Sequence, residues 1–288
     1  MINLDENTIT QAVLERYVDC QNPRLAEIMS SLTRHLHAFA REVRLTEDEW
    51  TAGIQFLTET GHMTDDKRQE FILLSDTLGL SMLVIAMNNA KPHGCTESTV
   101  FGPFYVPGAA AYDNGADIAN GASGAPCFVR GTVRGLDGTA VPDAEIHVWQ
   151  ADDQGFYDVQ RADLAESQAR GVLRSRSDGS FDFKSVLAED YPIPHDGPVG
   201  KMLNGLGRHP WRPAHLHFMI KAPGFETLIT HVFRKESRYL ESDVVFGVRS
   251  SLVADWVRHE SGPTPDGQCS STPFYTLDYH FVINPASR

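Results

Sequence analysis

The sequence predicts an α+β fold, with a helical N-terminal region over residues 1–95 followed by a mainly antiparallel β-sandwich over 96–288. Three observations carry this. Apolar residues recur at three- and four-residue steps through the first part of the chain. That period vanishes between Thr96 and Pro126. From Cys127 onward, alternation with period two takes over, cut by turn signals.

The helices come first. Leu25, Ile28, Met29, Leu32, Leu36, Phe39 and Val43 make one apolar stripe, which by itself reads as a core-packing face. Thr46-Glu47-Asp48-Glu49 has the form of a capping box, with Trp50, Ile54 and Leu57 on one face beyond it. Thr64-Asp65-Asp66 reads as the start of a further helix, with acidic residues at its positive end and a run to about Ala90. The segment 96–126, rich in Gly, Pro, Ala and Asn, is a long connection, and long ordered connections tend to be functional.

The strands follow. Phe128–Val133 precedes a turn at Asp137-Gly138, and Ile146–Gln150 alternates. Ser180–Phe183 follows Asp178-Gly179, and His215–Ile220 and Thr227–Phe233 complete the set. Short strands separated by turn signals indicate a sandwich.

Composition narrows the function. An apolar share of 41% suits a globular core. A net charge of -13 without a Lys/Arg run argues against a nucleic-acid partner and against an anionic membrane surface. Cys20, Cys95, Cys127 and Cys269 form no C-x-x-C pair, so reduced thiols in a cytoplasmic protein are expected. The start of the chain lacks the pattern of a signal peptide, and the most apolar run, Leu78–Met87, is too short to span a bilayer.

The strongest local motif is Trp211-Arg212-Pro213-Ala214-His215-Leu216-His217-Phe218. Residues two apart on a strand share a face, so His215 and His217 can reach one metal, which imidazole alone does not identify. A trivalent ion would also want anionic oxygen, which tyrosine supplies as phenolate. Tyr157 and Tyr191 lie in segments read as loops, but Tyr105, Tyr239, Tyr275 and Tyr279 compete on composition alone.

These words taken together resemble the intradiol ring-cleaving dioxygenases over nearly the whole chain. The matching words are Gly-Pro-Phe-Tyr at 102–105, Val-Trp-Gln-Ala-Asp at 148–152 and Gly-Arg-His-Pro-Trp-Arg-Pro-Ala-His-Leu-His-Phe at 207–218. The resemblance implies one Fe(III) per subunit held by Tyr157, Tyr191, His215 and His217. It also implies that Tyr191 is the phenolate that leaves when a substrate dianion enters, and that Arg212 stabilises negative charge on the ring. Two phenolates and one hydroxide would make such a ferric centre neutral, which avoids a bare charge in a dry pocket.

Within the family, Val100–Phe104, Tyr191–Pro198 and Ala222-Pro223-Gly224 are most similar to the hydroxyquinol-cleaving branch. The implied pocket comprises Leu73, Asp76, Val100, Gly102, Pro103, Phe104, Ile193, Pro194, Arg212 and Val245. Asp76 would pair with the third hydroxyl of the ring. The implied partners are a small aromatic diol or triol, dioxygen, a second copy bound through the N-terminal helices, and a phospholipid between the subunits as in relatives. Competing readings are catechol or chlorocatechol cleavage, a non-catalytic transthyretin-like binding module, and a zinc or copper hydrolase built on the histidine pair alone.

Overall fold

A computed structural model describes residues 3–65, 68–161 and 164–286. Contacts divide the chain into two compact units, one ending at Glu59 and one beginning at Thr60. The first unit holds helices α1 (Ile9–Leu14), α2 (Pro23–Glu42) and most of α3 (Glu47–Met63). Pro23 opens α2, where a missing N–H costs nothing, and the side chain of Asn22 caps it by accepting from the Leu25 N–H. The capping box before α3 forms as read: the Thr46 N–H donates to Glu49 Oε2 at 2.9 Å, and the Glu49 N–H donates to Thr46 Oγ1 at 3.3 Å.

The stripe on α2 corrects a sequence reading. Leu25, Ile28, Leu32, Leu36, Phe39 and Val43 are between 46% and 55% exposed, so within the single chain they face outward instead of forming a core. Trp50, Ile54 and Leu57 on α3 are exposed as well.

The second unit opens with α4 (Glu70–Thr77) and α5 (Leu80–Asn88). The helix expected from Thr64 onward begins only at Glu70; Asp66 lies outside the described residues. Asp65 accepts the Arg68 N–H at 2.7 Å, which makes a turn there. The expected single helix to Ala90 is two, because Gly79 takes φ +75° and the axis bends by 76°. Among the described residues no single helix is long and apolar enough to cross a membrane.

The strands are β1 (Pro126–Gly135), β2 (Glu145–Trp149), β3 (Arg170–Arg174), β4 (Ser180–Val186), β5 (Tyr191–Pro192), β6 (Trp211–Arg212), β7 (His215–Lys221), β8 (Leu228–Arg234), β9 (Val253–Ala254), β10 (Trp256–His259), β11 (Gly262–Pro263), β12 (Cys269–Ser270) and β13 (Phe274–Ile283). A short helix, α6 (Pro198–Gly205), lies between β5 and β6. One sheet runs β10-β13-β1-β4 and the other β3-β2-β7-β8-β9. Pairing is antiparallel except for β1 with β13 and β8 with β9. Val129 and Val133 of β1 and Phe181 and Phe183 of β4 bury against Ile146, Val148, Leu216, Phe218 and Ile220 of the other sheet. Alternation explains this core: Leu216 and Phe218 turn into the sandwich, so His215 and His217 must project from the opposite face of β7.

Candidate metal centre

Strand β7 lies inside its sheet, with β2 on one side and β8 on the other, so the two imidazoles stand on a rigid support. His215 and His217 are both buried, and their Nε2 atoms approach to 3.1 Å. His215 Nδ1 lies 2.7 Å from the Pro213 carbonyl, which can only accept, so the proton is on Nδ1 and Nε2 presents a lone pair. His217 Nδ1 lies 2.8 Å from His231 Nε2, and His231 Nδ1 lies 2.7 Å from Thr99 Oγ1. With His217 donating along this chain, its Nε2 also presents a lone pair. Burial, helped by the charge of Arg212, holds all three imidazoles well below their usual pKa. They are therefore neutral, the form that binds metals.

The phenol oxygens converge on the same point. Tyr157 Oη is 2.9 Å from His217 Nε2, 3.5 Å from His215 Nε2 and 3.3 Å from Tyr191 Oη. Burial, and then the neighbouring Tyr191, push the Tyr157 phenol well above its ordinary range. A phenol in that setting ionises only beside a cation.

Local sequence explains how each tyrosine gets there. Tyr157 precedes a turn of 3-10 helix at Asp158–Gln160, and its N–H donates to Gln160 Oε1 at 2.9 Å. The Phe104 ring stacks on Tyr157 at 4.4 Å between centroids. Arg170 binds Asp158 through Nε at 2.8 Å and through Nη2, which also donates to the Phe104 carbonyl at 2.9 Å. One buried arginine thus fixes both the tyrosine and the ring that covers it.

Tyr191 is not in a loop, as the sequence reading had it. It pairs with Arg212 in the two-residue ladder of β5 and β6, where Pro192 is tolerated because the ladder is so short. Gly155, at φ +82°, lets Tyr191 pack close, since a Cβ there would come within 2.8 Å of Tyr191 Cβ. Asp190 accepts the Ala214 N–H at 2.8 Å and so ties the tyrosine segment to the histidine strand.

Two donors each about 2.0–2.1 Å from one ion, at right or tetrahedral angles, stand about 2.9–3.4 Å apart. The 2.9–3.5 Å separations found here match that spacing. Two lone pairs facing each other at 3.1 Å also call for a cation between them. The donor set of two imidazoles and two phenols therefore fits a hard trivalent metal. His231 belongs with His215 and His217 by proximity alone, but its contact is with Nδ1, on the far side of the His217 ring. That contact orients His217.

The expected pocket residues divide into two groups. Leu73, Val100, Ile193 and Val245 are buried together with Met82 and Val199, and Phe104 belongs with the tyrosines and Trp149. Asp76 is buried, and burial raises its pKa against the opposing influences of Ser81 and Arg212. Gly102 lies beside His217, where a Cβ would meet Cε1 at 3.2 Å. Pro103 and Pro194 are half-buried. Arg212 Nη1 is 3.5 Å from Tyr191 Oη. Burial works against its charge, but the Asp243 carboxylate outweighs that and keeps the guanidinium firmly protonated.

Sequence reasoning did not single out His231, Thr99, Arg170, Asp190 or Asp243. Of these, His231 falls inside the segment Thr227–Phe233 already read as a strand.

Known proteins resemble this chain over nearly its full length. Residues 22–96 match the family described as catechol dioxygenase N terminus, and residues 100–285 match the family described as dioxygenase. The chain is 60% identical to 6-chlorohydroxyquinol 1,2-dioxygenase of Cupriavidus pinatubonensis (strain JMP 134 / LMG 1197), covering 99% of both chains. It is 52% identical to hydroxyquinol 1,2-dioxygenase of Nocardioides simplex, covering 98% of this chain and 96% of the relative. Among solved structures, hydroxyquinol 1,2-dioxygenase from Pseudomonas putida DLL-E4 superposes with a TM-score of 0.90 at 45% identity, covering 98% of this chain and 99% of that one.

Proposed function

The chain belongs to the catechol dioxygenase family, and from that premise we propose that it cleaves hydroxyquinol (1,2,4-trihydroxybenzene) between its adjacent hydroxyl-bearing carbons. Both atoms of O2 enter the product, 3-hydroxy-cis,cis-muconate. The observation that carries the reading is the convergence of Tyr157, Tyr191, His215 and His217 on one buried point, with donor separations of 2.9–3.5 Å.

These four residues would hold one ferric ion per subunit. Ferric iron, when bound, withdraws electron density through the diol oxygens and so makes the ring reactive toward O2. The protein's own groups do the rest. The Tyr191 oxygen takes a proton from an incoming hydroxyl. Arg212, held within 3.5 Å of that oxygen, offsets negative charge on the ring. Leu73, Val100, Ile193 and Val245, packed in one apolar cluster, and Phe104, packed with the tyrosines, would exclude water from the substrate. Asp76 receives the third hydroxyl, the group catechol lacks.

The remaining parts of the reading rest on surfaces and composition. The outward apolar stripe of α2 supports a homodimer through the helical region, residues 1–95, and a phospholipid between subunits would lie against the same apolar face. The iron-binding β-sandwich, 96–288, follows it. The four free cysteines suit a cytoplasmic enzyme.

The test is a visible spectrum of iron-replete protein before and after anaerobic addition of hydroxyquinol, followed by oxygen uptake with hydroxyquinol, 6-chlorohydroxyquinol, catechol and chlorocatechol. The expected result is a phenolate-to-iron band that shifts on binding, and the highest kcat/KM for hydroxyquinol. A colourless iron-replete protein would rule out phenolate ligation, and a preference for catechol would overturn the substrate assignment.

A further inference from the structure

Asp243 follows β8 in a turn that no motif distinguishes. Its side chain is 2% exposed, and that of Arg212 is 4% exposed. The two meet edge to edge: Arg212 Nε lies 3.2 Å from Asp243 Oδ1, and Nη2 lies 3.4 Å from Oδ2. The other corner of the guanidinium, Nη1, lies 3.5 Å from Tyr191 Oη and 3.4 Å from His215 Nε2. A planar fork held along one edge has its remaining corner aimed.

The same carboxylate is itself fixed. It accepts the Val245 N–H at 3.3 Å and the Gly247 N–H at 2.9 Å. Phe246, between them, takes φ +59°, a conformation that side-chain-bearing residues seldom adopt and that persists only where the surroundings enforce it. A Cβ at Gly247 would stand 3.1 Å from Arg212 Nη2 and 3.2 Å from Asp243 Oδ2, so the turn has been cleared for this pair. Because Val245 belongs to the apolar wall, one carboxylate joins that wall to the arginine.

We propose that Asp243 is a positioning residue for ring cleavage, neutralising Arg212 and setting the plane of its guanidinium so that Nη1 faces the four-donor cluster. The proposal rests on the role given to Arg212 above. Without Asp243 the guanidinium is an uncompensated buried cation beside the Tyr191 oxygen, and its fork is free to turn away.

The experiment uses the iron-loaded enzyme and three variants: Asp243→Asn, Arg212→Ala and the two combined. Asp243→Asn is expected to release iron to a chelator roughly tenfold faster, because the unbalanced guanidinium then competes with the ion for the Tyr191 oxygen 3.5 Å away. It is also expected to lower kcat for hydroxyquinol by about 10²-fold with far less change in KM. In the combined variant, iron retention should recover toward the parent, and kcat should fall no further than with Arg212→Ala alone. A merely structural Asp243 predicts the opposite. Should the combined variant lose iron as fast as Asp243→Asn, or should Asp243→Asn lower kcat by the same factor with and without Arg212, the proposal is overturned.

Gly247→Ala decides the matter if Asp243→Asn does not fold. Its added methyl presses on Arg212 Nη2 and leaves all charges in place. A fall in kcat with undiminished iron content supports the proposal, and an unchanged kcat overturns it. Failure of the underlying reading has a separate signature, in which Arg212→Ala retains the parent's kcat.

Discussion

Replacing His231 by leucine tests how the imidazole ligands are held. The His231 ring packs on His215 at 4.5 Å between centroids, and its Nε2 meets His217 Nδ1 at 2.8 Å. Leucine fills similar space, so the losses are that hydrogen bond and the one to Thr99, of which only the first bears directly on a metal ligand. His217 is buried, and water has no route to replace the partner. An unsatisfied buried donor costs about 1–3 kcal/mol. At about 1.4 kcal/mol per decade, that weakens metal binding by roughly 5- to 150-fold, which agrees with the 10- to 100-fold typical of lost outer-shell partners. The assay is iron content after equilibration against graded chelator at fixed pH. His231→Gln, whose amide oxygen can accept from Nδ1, should recover part of the loss. Thr99→Val, one bond further out, should give a smaller effect of the same sign. A chelator midpoint in His231→Leu equal to that of the parent would refute the argument.

Three further outcomes are expected. Asp76→Leu should lower the preference for hydroxyquinol over catechol, read as the ratio of kcat/KM values, by roughly 10- to 100-fold, the worth of one strong hydrogen bond; an unchanged ratio removes Asp76 from substrate selection. Burial raises the Asp76 pKa in the folded protein, so the folded state holds its proton more tightly than the unfolded chain, and stability is lost as pH rises above about 4 toward the folded value. Asp76→Asn should therefore melt higher than the parent at pH 7, with the gap closing below about pH 4; thermal melts across pH would show a parent that is the more stable at pH 7 if this is mistaken. Gly155→Ala places a methyl 2.8 Å from Tyr191 Cβ at a φ of +82°, and should weaken the visible band and lower kcat by about 10²-fold. An unaltered spectrum and rate would mean that Tyr191 tolerates displacement.

Some of this was legible in the sequence and some was not, for identifiable reasons. The histidine pair could be read because strand alternation puts residues two apart on one face, and Leu216 and Phe218 do turn the other way into the core. The convergence of Tyr157 and Tyr191 on that pair followed from resemblance, because nothing local separates them from the other tyrosines. The break between α4 and α5 was hidden inside an apolar run, where Gly79 alone changes the backbone. The core face expected of α2 failed because periodicity reports that a helix has an apolar side without saying what covers it. Strand β13 pairs in parallel with β1 from the far end of the chain, and no local signal announces such a partner. The supporting residues are invisible for the same reason. Asp243 is 31 positions from Arg212, and His231 is 14 from His217. Their pairing exists only once the sheet and its loops are built.

The two kinds of donor are anchored unequally. The imidazoles sit on a strand paired along both edges, whose amide protons exchange with solvent only when the sandwich itself comes apart. The phenols hang from a single 3-10 turn and a two-residue ladder, segments held by far fewer backbone hydrogen bonds than a strand paired on both sides. On warming, the centre should therefore come undone from its oxygen side while its nitrogen side is still folded. Fading of colour would then precede any loss of β-structure, and the protein could recover the colour on cooling.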